Sequence, residues 1–309
     1  MPINRHGNIP CGWEDPLFKG VTFLFAFFIL LLTFLIAFSL LNHATPAIEK
    51  FGFAFLWGTN WDPVSEQFGA LPFLYGTLMT SAIALVIAVP IGLGVSIFLS
   101  ELAPRFLSNP ISYLVDLLAA IPSVIYGIIG VFVLVPLMRV KIEPVLSNTL
   151  GFLPVFQGSF YGVGILTAGL ILSIMILPFI ISISREVMLS VPQTQREAIL
   201  SLGATRWEMV SKVVMPLSLS GIIGSIFLAL ARALGETMAV TMVIGNNPDI
   251  HLSLFEPGHT MAAVIANEFS EATSDIYLSA LIEIGLILFI VSIIMNGVAR
   301  ILVLGGVRS

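Results

Sequence analysis

The chain has 309 residues and a formal net charge of −5, and 57% of it is hydrophobic. Only 10% is charged, against about 25% in a soluble domain, and the mean hydropathy is +1.03. Such a chain cannot coat itself for water, so its solvent is lipid, and it has no basic surface with which to bind nucleic acid.

The lone cysteine, Cys11, excludes an intrachain disulfide and any cysteine-based metal cluster. His6, His43, His251 and His259 show no metal-ligand spacing, so no metal site is expected.

A bilayer core of about 30 Å needs roughly 20 apolar helical residues. The first such run, "VTFLFAFFILLLTFLIAFSLL", covers residues 21–41. It is longer than the apolar core of a secretory signal and lacks a small-residue cleavage site. Five more are expected at 71–99, 111–138, 162–183, 217–244 and 278–304. The runs lack the period-two alternation of barrel strands, so the expected fold is all-α with six transmembrane helices. Pro90, Pro122 and Pro178 fall inside spans and should bend them. Gly92, Gly94, Gly127 and Gly130 allow close helix packing. Trp57 and Trp61 suit an interfacial belt.

This divides the chain into a tail of residues 1–20, a first span with its outer loop at 21–70, a core at 71–304 and a tail at 305–309. With the N-terminus inside, the inner segments hold Arg5, Lys19, Arg105, Arg185, Arg196, Arg206, Lys212, Arg300 and Arg308. The outer loops hold only Lys50, Arg139 and Lys141. The bias places both termini in the cytoplasm. The last outer loop, 246–277, has no Lys or Arg and five acidic residues, and "HTMAAVIANEFSEA" within it reads as a helix.

Residues 184–218 form the longest inner loop. Pro192 suits a helix start, "REAILSL" reads as a short helix, and Gly203 can end it in left-handed geometry. A second helix, "TRWEMVSKVV", runs to Pro216, where the fifth span is expected to begin. Glu197, near the helix start, would also favour the helix dipole.

Inside the fifth span, "LALARALGETMAV" carries Arg232 and Glu236. In a continuous helix they share one face and can look into a protein-lined path. Charges at membrane depth mark such paths, although a self-neutralising ion pair is the alternative. A guanidinium fork fits two oxygens of an oxyanion. A carboxylate beside it would accept the proton that phosphate keeps near neutral pH and would repel fully ionised sulfate. Asp116, in the third span, and Glu283, in the sixth, are lesser candidates, read mainly as packing groups near their span starts.

"EAILSLGATRWEMVSKVVMP" resembles the EAA loop of ATP-binding-cassette (ABC) importer permeases, E-A-A, three residues, Gly, nine residues, Ile, one residue, Leu-Pro. Glu197, Ala198, Gly203 and Pro216 match, while Ile199, Val213 and Met215 depart from the pattern. "FLSELAP", "LLAAIPSVIYG", "RALGETMAVTMVIGN" and "ANEFSEA" together are similar to the PstC-type permeases of bacterial phosphate importers. The resemblance implies a type I importer permease fold with a coupling helix, carrying Glu197, Ala198 and Gly203, docked on an ATPase. It implies a heterodimer with a PstA-type permease, two ATPase subunits and an extracytoplasmic phosphate-binding protein, in the bacterial inner membrane. ATP and Mg would belong to the ATPase partner. This chain has no G-x-x-x-x-G-K-[ST] loop, and the glycine-rich "GSFYGVG" lacks the lysine, so it is expected to be a transport subunit and no enzyme. Sulfate or molybdate is the alternative cargo. A secondary transporter is the alternative class, but that class shows inverted repeats, and none is visible here.

Overall fold

The computed structural model describes residues 14–306; Cys11 and the charges of both tail ends lie outside that range. Six of the described helices are long and apolar enough to cross a membrane. In chain order the elements are α1 (Glu14–Phe51), α2 (Leu71–Leu102), α3 (Arg105–Ala119), α4 (Ser123–Leu150) and α5 (Ile165–Leu189). They continue as α6 (Gln193–Ser201), α7 (Arg206–Leu234), α8 (Met238–Ile244), α9 (Met261–Glu268) and α10 (Asp275–Gly306). Two isolated bridges, Asp62 with Gln67 and Gly245 with Gly258, are the β pairing among the described residues.

The alternation of long helices puts α6, the start of α3 and the start of α7 at one end of the bundle. The loops 52–70, 151–164 and 245–274, with α9, lie at the other. Helix α5 is the most buried span and α1 the least. α5 packs chiefly on α2 and also on α7 and α8, around Leu172, Met175, Ile176 and Ile180. Helix α1 packs on α10 and is otherwise exposed; its exposed phenylalanines run from Phe18 to Phe38, as suits a helix facing lipid.

Three expectations from the sequence change here. The third crossing is not one helix over 111–138. The chain turns at Ala120–Pro122, and Pro122 sits at the N-terminal cap of α4 with φ −58° and ψ 139°. That extended ψ cannot continue a helix, so α3 stands apart as an amphipathic helix beside α5. The fifth span does not begin at Pro216 but at Arg206, because the second loop helix runs into it without a break. It also does not reach Ile244, since its helix ends at Leu234 and α8 begins afresh at Met238.

Proline chemistry explains the continuity at Pro216. Proline lacks an N–H, and its ring clashes with the carbonyl four residues earlier. Wide π-type turns occupy Phe98–Leu102, Gly130–Leu134, Met138–Ile142 and Val210–Val214. Each holds the residue four before a proline: Ser100, Phe132, Val140 and Lys212. Widening the turn moves the carbonyl out of the ring's way, so the helix passes Pro136, Pro144 and Pro216, whereas at Pro104 the backbone becomes extended and α3 begins. At Pro46 in α1 a side chain from another helix intervenes. Ser279 of α10 takes the Ala47 N–H at 3.0 Å and donates to the His43 carbonyl at 2.8 Å, which ties α1 to α10.

A Cβ added to Gly92 would lie 2.8 Å from Ile180 Cγ2, and one on Gly130 would lie 2.7 Å from Val243 Cγ1. On Gly127 it would lie 2.5 Å from Met242 Sδ. These glycines bring helices together as expected, whereas Gly94 faces open space. At the far end Trp61 is half-buried. Its Nε1–H donates to Glu268 at 2.8 Å, as the Tyr277 hydroxyl does at 2.6 Å, within a cluster holding Phe68 and Phe73. Trp57 is exposed.

Candidate translocation path and coupling surface

Arg232 lies in the last turn of α7, where a cation favours the helix dipole. It is half-buried, its guanidinium carbon is 4.4 Å from the centre of the Phe179 ring on α5, and its buried Nε has no hydrogen-bond partner. At 1.5 Å per residue, Phe179 lies about 21 Å along α5 from the α9 end and about 15 Å from the α6 end. The guanidinium therefore sits deep within the membrane layer.

The expected shared helical face with Glu236 is not formed. The helix stops at Leu234, Gly235 has φ −92° and ψ 0°, and Glu236 lies in the break. The two are not among the ion pairs of the described residues, so mutual neutralisation is out as well. Glu236 instead accepts the Ala239 N–H at 3.2 Å and meets one of the unsatisfied donors at the start of α8. Sequence spacing alone could not separate an i,i+4 pair from a cap across a break. Glycine at 235 was the available signal. Unwound backbone at membrane depth is tolerated only where protein or a water-filled cavity surrounds it.

Asp116 is not within a span. It lies on α3, exposed, and accepts a hydrogen bond from Ser182 of α5 at 2.9 Å. Glu283 does lie near the start of its span, 6% exposed, with Oε2 lacking a partner. Neither is brought near Arg232 by any contact in the structure.

In the loop, Pro192 caps α6 and Gly203 has φ +86°, the left-handed geometry expected of it, with open space where a Cβ would go. Thr205 then opens α7 through a reciprocal capping box with Glu208. Glu197 and Ala198 are both exposed. Glu197 is the fifth residue of α6, past the first turn, so the dipole role expected of it does not apply.

In the sequence Arg196 is one more basic loop residue, yet it is 8% exposed. Two of its guanidinium nitrogens reach the two oxygens of Glu101 at 2.9 and 3.2 Å. It also donates to the carbonyls of Met188, at 2.8 Å, and Val191 at the end of α5. One side chain thus ties α6 to α2 and α5. No periodicity in the sequence marks it, because its partner lies 95 residues away. Beside the exposed face of α6, Leu202 is 86% exposed and Trp207 73%.

The comparisons with known proteins bear on this arrangement. A permease protein of Mesorhizobium japonicum, described as "Phosphate transport system permease protein PstC", is 48% identical over 93% of this chain and 89% of its own length. Its namesake from Haemophilus influenzae is 48% identical over 94% and 93%. A "Probable phosphate transport system permease protein PstC" of Methanocaldococcus jannaschii is 37% identical over 90% of each. Among solved structures, a chain of a bacterial alginate ABC transporter overlays with a TM-score of 0.58 at 15% identity, covering 93% of this chain and 95% of that one. A chain of the MetNI methionine ABC transporter overlays with a TM-score of 0.55 at 18% identity, covering 76% and 96%. At those identities the overlays speak to the fold alone, which is that of ABC importer permeases. Residues 88–304 match the model of the binding-protein-dependent transport system inner membrane component, and this multi-pass inner-membrane chain belongs to that family.

Proposed function

We propose that this chain is a permease subunit of an ATP-driven importer of inorganic phosphate, and that Arg232 is the residue the anion meets inside the membrane. The observation that carries the reading is an unpaired guanidinium beside a break in the fifth span. A charge at that depth costs about 3 kcal/mol on insertion scales, which a purely structural arginine would offset with a carboxylate. Broken helices flank substrate sites in other transporters. Relatives at 46–48% identity are phosphate transport permeases by name, which favours phosphate over sulfate or molybdate. Glu236 holds the break through Ala239, and its charge favours an anion that still carries a proton.

The partners follow from the same reading. A PstA-type permease supplies the other half of the pore, and two ATPase subunits bind ATP and Mg. Glu197, Ala198, Leu202 and Trp207 form the exposed surface offered to one of them, with Gly203 setting the angle between α6 and α7. This puts the α6 end and both termini in the cytoplasm. The acidic loop 246–277 then faces an extracytoplasmic phosphate-binding protein.

The test is uptake of labelled phosphate and sulfate in cells lacking their own phosphate permease. The unaltered chain should restore phosphate uptake, and Arg232→Gln should abolish it while the complex still co-purifies and binds ATP. Normal uptake by Arg232→Gln removes the path assignment. Restoration of sulfate uptake instead of phosphate removes the cargo.

A further inference from the structure

At the α6 end, a cleft of about 710 Å³ opens between the last turn of α2, the start of α3, the end of α5, α6 and the start of α7. Its lining is strongly biased in charge. Arg105, Arg185, Arg196 and Arg206 all line it, against Glu101 as the one carboxylate. Glu101 is held by Arg196, so it neutralises none of the other three.

Arg105 and Arg206 form no ion pair among the described residues. Arg185 touches Glu186 at 3.2 Å, but its Nε is buried and has no hydrogen-bond partner. Asn109 adds a neutral donor to the lining. Arg105 and Arg206, both exposed, and Arg185, whose contact with Glu186 leaves its Nε unpaired, bring positive charge into one cleft from three helices, and a cleft lined by one sign of charge attracts counter-ions. The guanidinium forks suit tetrahedral oxyanions with several oxygens to share.

The cleft also lies in line with Arg232. Phe179, which stacks on Arg232, Ser182, which donates to Asp116 of α3, and Arg185 follow one another at i,i+3 spacing along one stripe of α5. The stripe leads from the membrane-buried arginine to the cleft.

We infer that this cleft is a second binding site, specific for phosphate-type oxyanions and separate from Arg232, at the end of the chain that carries α6. Its ligand is either free phosphate received after passage or the phosphate headgroup of an anionic lipid. Free phosphate as the occupant rests on the transport reading above; the chemistry of the cleft does not.

The experiment uses the assembled importer in nanodiscs, without nucleotide or binding protein. In phosphatidylcholine discs, inorganic phosphate is titrated and its ³¹P line width followed. Arg105→Gln/Arg206→Gln should weaken the broadening tenfold or more. Arg105→Lys/Arg206→Lys, which keeps the charge, should recover most of it, and Arg232→Gln should retain the contribution of the cleft. In discs containing phosphatidylglycerol, broadening that persists identifies free phosphate as occupant. Broadening that vanishes, with phosphatidylglycerol co-purifying with the unaltered complex and lost from the double glutamine variant, identifies the headgroup. If the double glutamine variant changes neither phosphate broadening nor lipid retention, the inference is overturned. Uptake of phosphate by the unaltered importer, measured with ATP and binding protein in proteoliposomes, tests the transport reading separately.

Discussion

Glu101→Gln isolates what holds the loop helix in place. The Glu101 and Arg196 side chains are 4% and 10% exposed, so water does little to screen the pair. Removing one partner of a buried pair costs about 3–5 kcal/mol, because the other charge is left uncompensated. Arg196 keeps its bonds to the Met188 and Val191 carbonyls, so the lower end, about 3 kcal/mol, applies. At about 1.4 kcal/mol per factor of ten, local opening of α6 should become roughly 150-fold more frequent. Hydrogen exchange on peptides covering Gln193–Ser201, in the assembled importer, reads that opening directly. The expected result is a loss of protection of about two orders of magnitude in α6, with α5 and α10 unchanged, and weaker coupling of ATP hydrolysis to uptake. Glu101→Leu/Arg196→Met should restore part of the protection, since no buried charge remains, but not all, since two carbonyls lose their donor. If protection in α6 changes less than threefold in Glu101→Gln, the pair does not anchor the helix and the reasoning fails.

Gly203→Ala and Gly203→Val should lower the ratio of uptake to ATP hydrolysis while leaving assembly intact. The φ of +86° costs an L-residue about 1–2 kcal/mol, and with open space around the Cβ position, Gly203→Asn should keep most of the coupling. His259, in the loop beyond α8, is 3% exposed, and burial pulls its imidazole pKa down to about 4. The unfolded chain therefore binds the proton first. Stability is full above pH 6.5 and falls as pH drops from 6.5 towards 4, by at most about 3 kcal/mol, and melting curves should show this dependence flattened in His259→Gln. Gly127→Val should lower the melting temperature of the complex, because its side chain meets Met242 and Ala239 of α8 and overpacking costs about 1–3 kcal/mol. Gly94→Ala, facing open space, should leave it unchanged.

Helix count and class were legible in the sequence because lipid imposes a length: each crossing needs an uninterrupted apolar run, which composition displays. The glycine turn at 203 and the helix in the last loop were legible for a similar reason, since left-handed geometry and capping are local. The break between α7 and α8 was not. Leu228–Val240 reads as continuous helix by hydropathy, and only its setting shows that the chain unwinds at Gly235 and Glu236 with Glu236 capping α8. Nor was the split at Ala120–Pro122, since a proline within an apolar run bends a helix in one context and ends it in another. The role of Arg196 depended wholly on tertiary structure. A guanidinium becomes an anchor only when a carboxylate from a distant helix and two free carbonyls converge on it, and one-dimensional spacing does not encode that convergence. The same holds for the arginine cleft, whose members come from residues 105, 185 and 206. The sequence by itself determined which segments prefer lipid; the fold decided which charges meet, because pairing depends on distances set by packing.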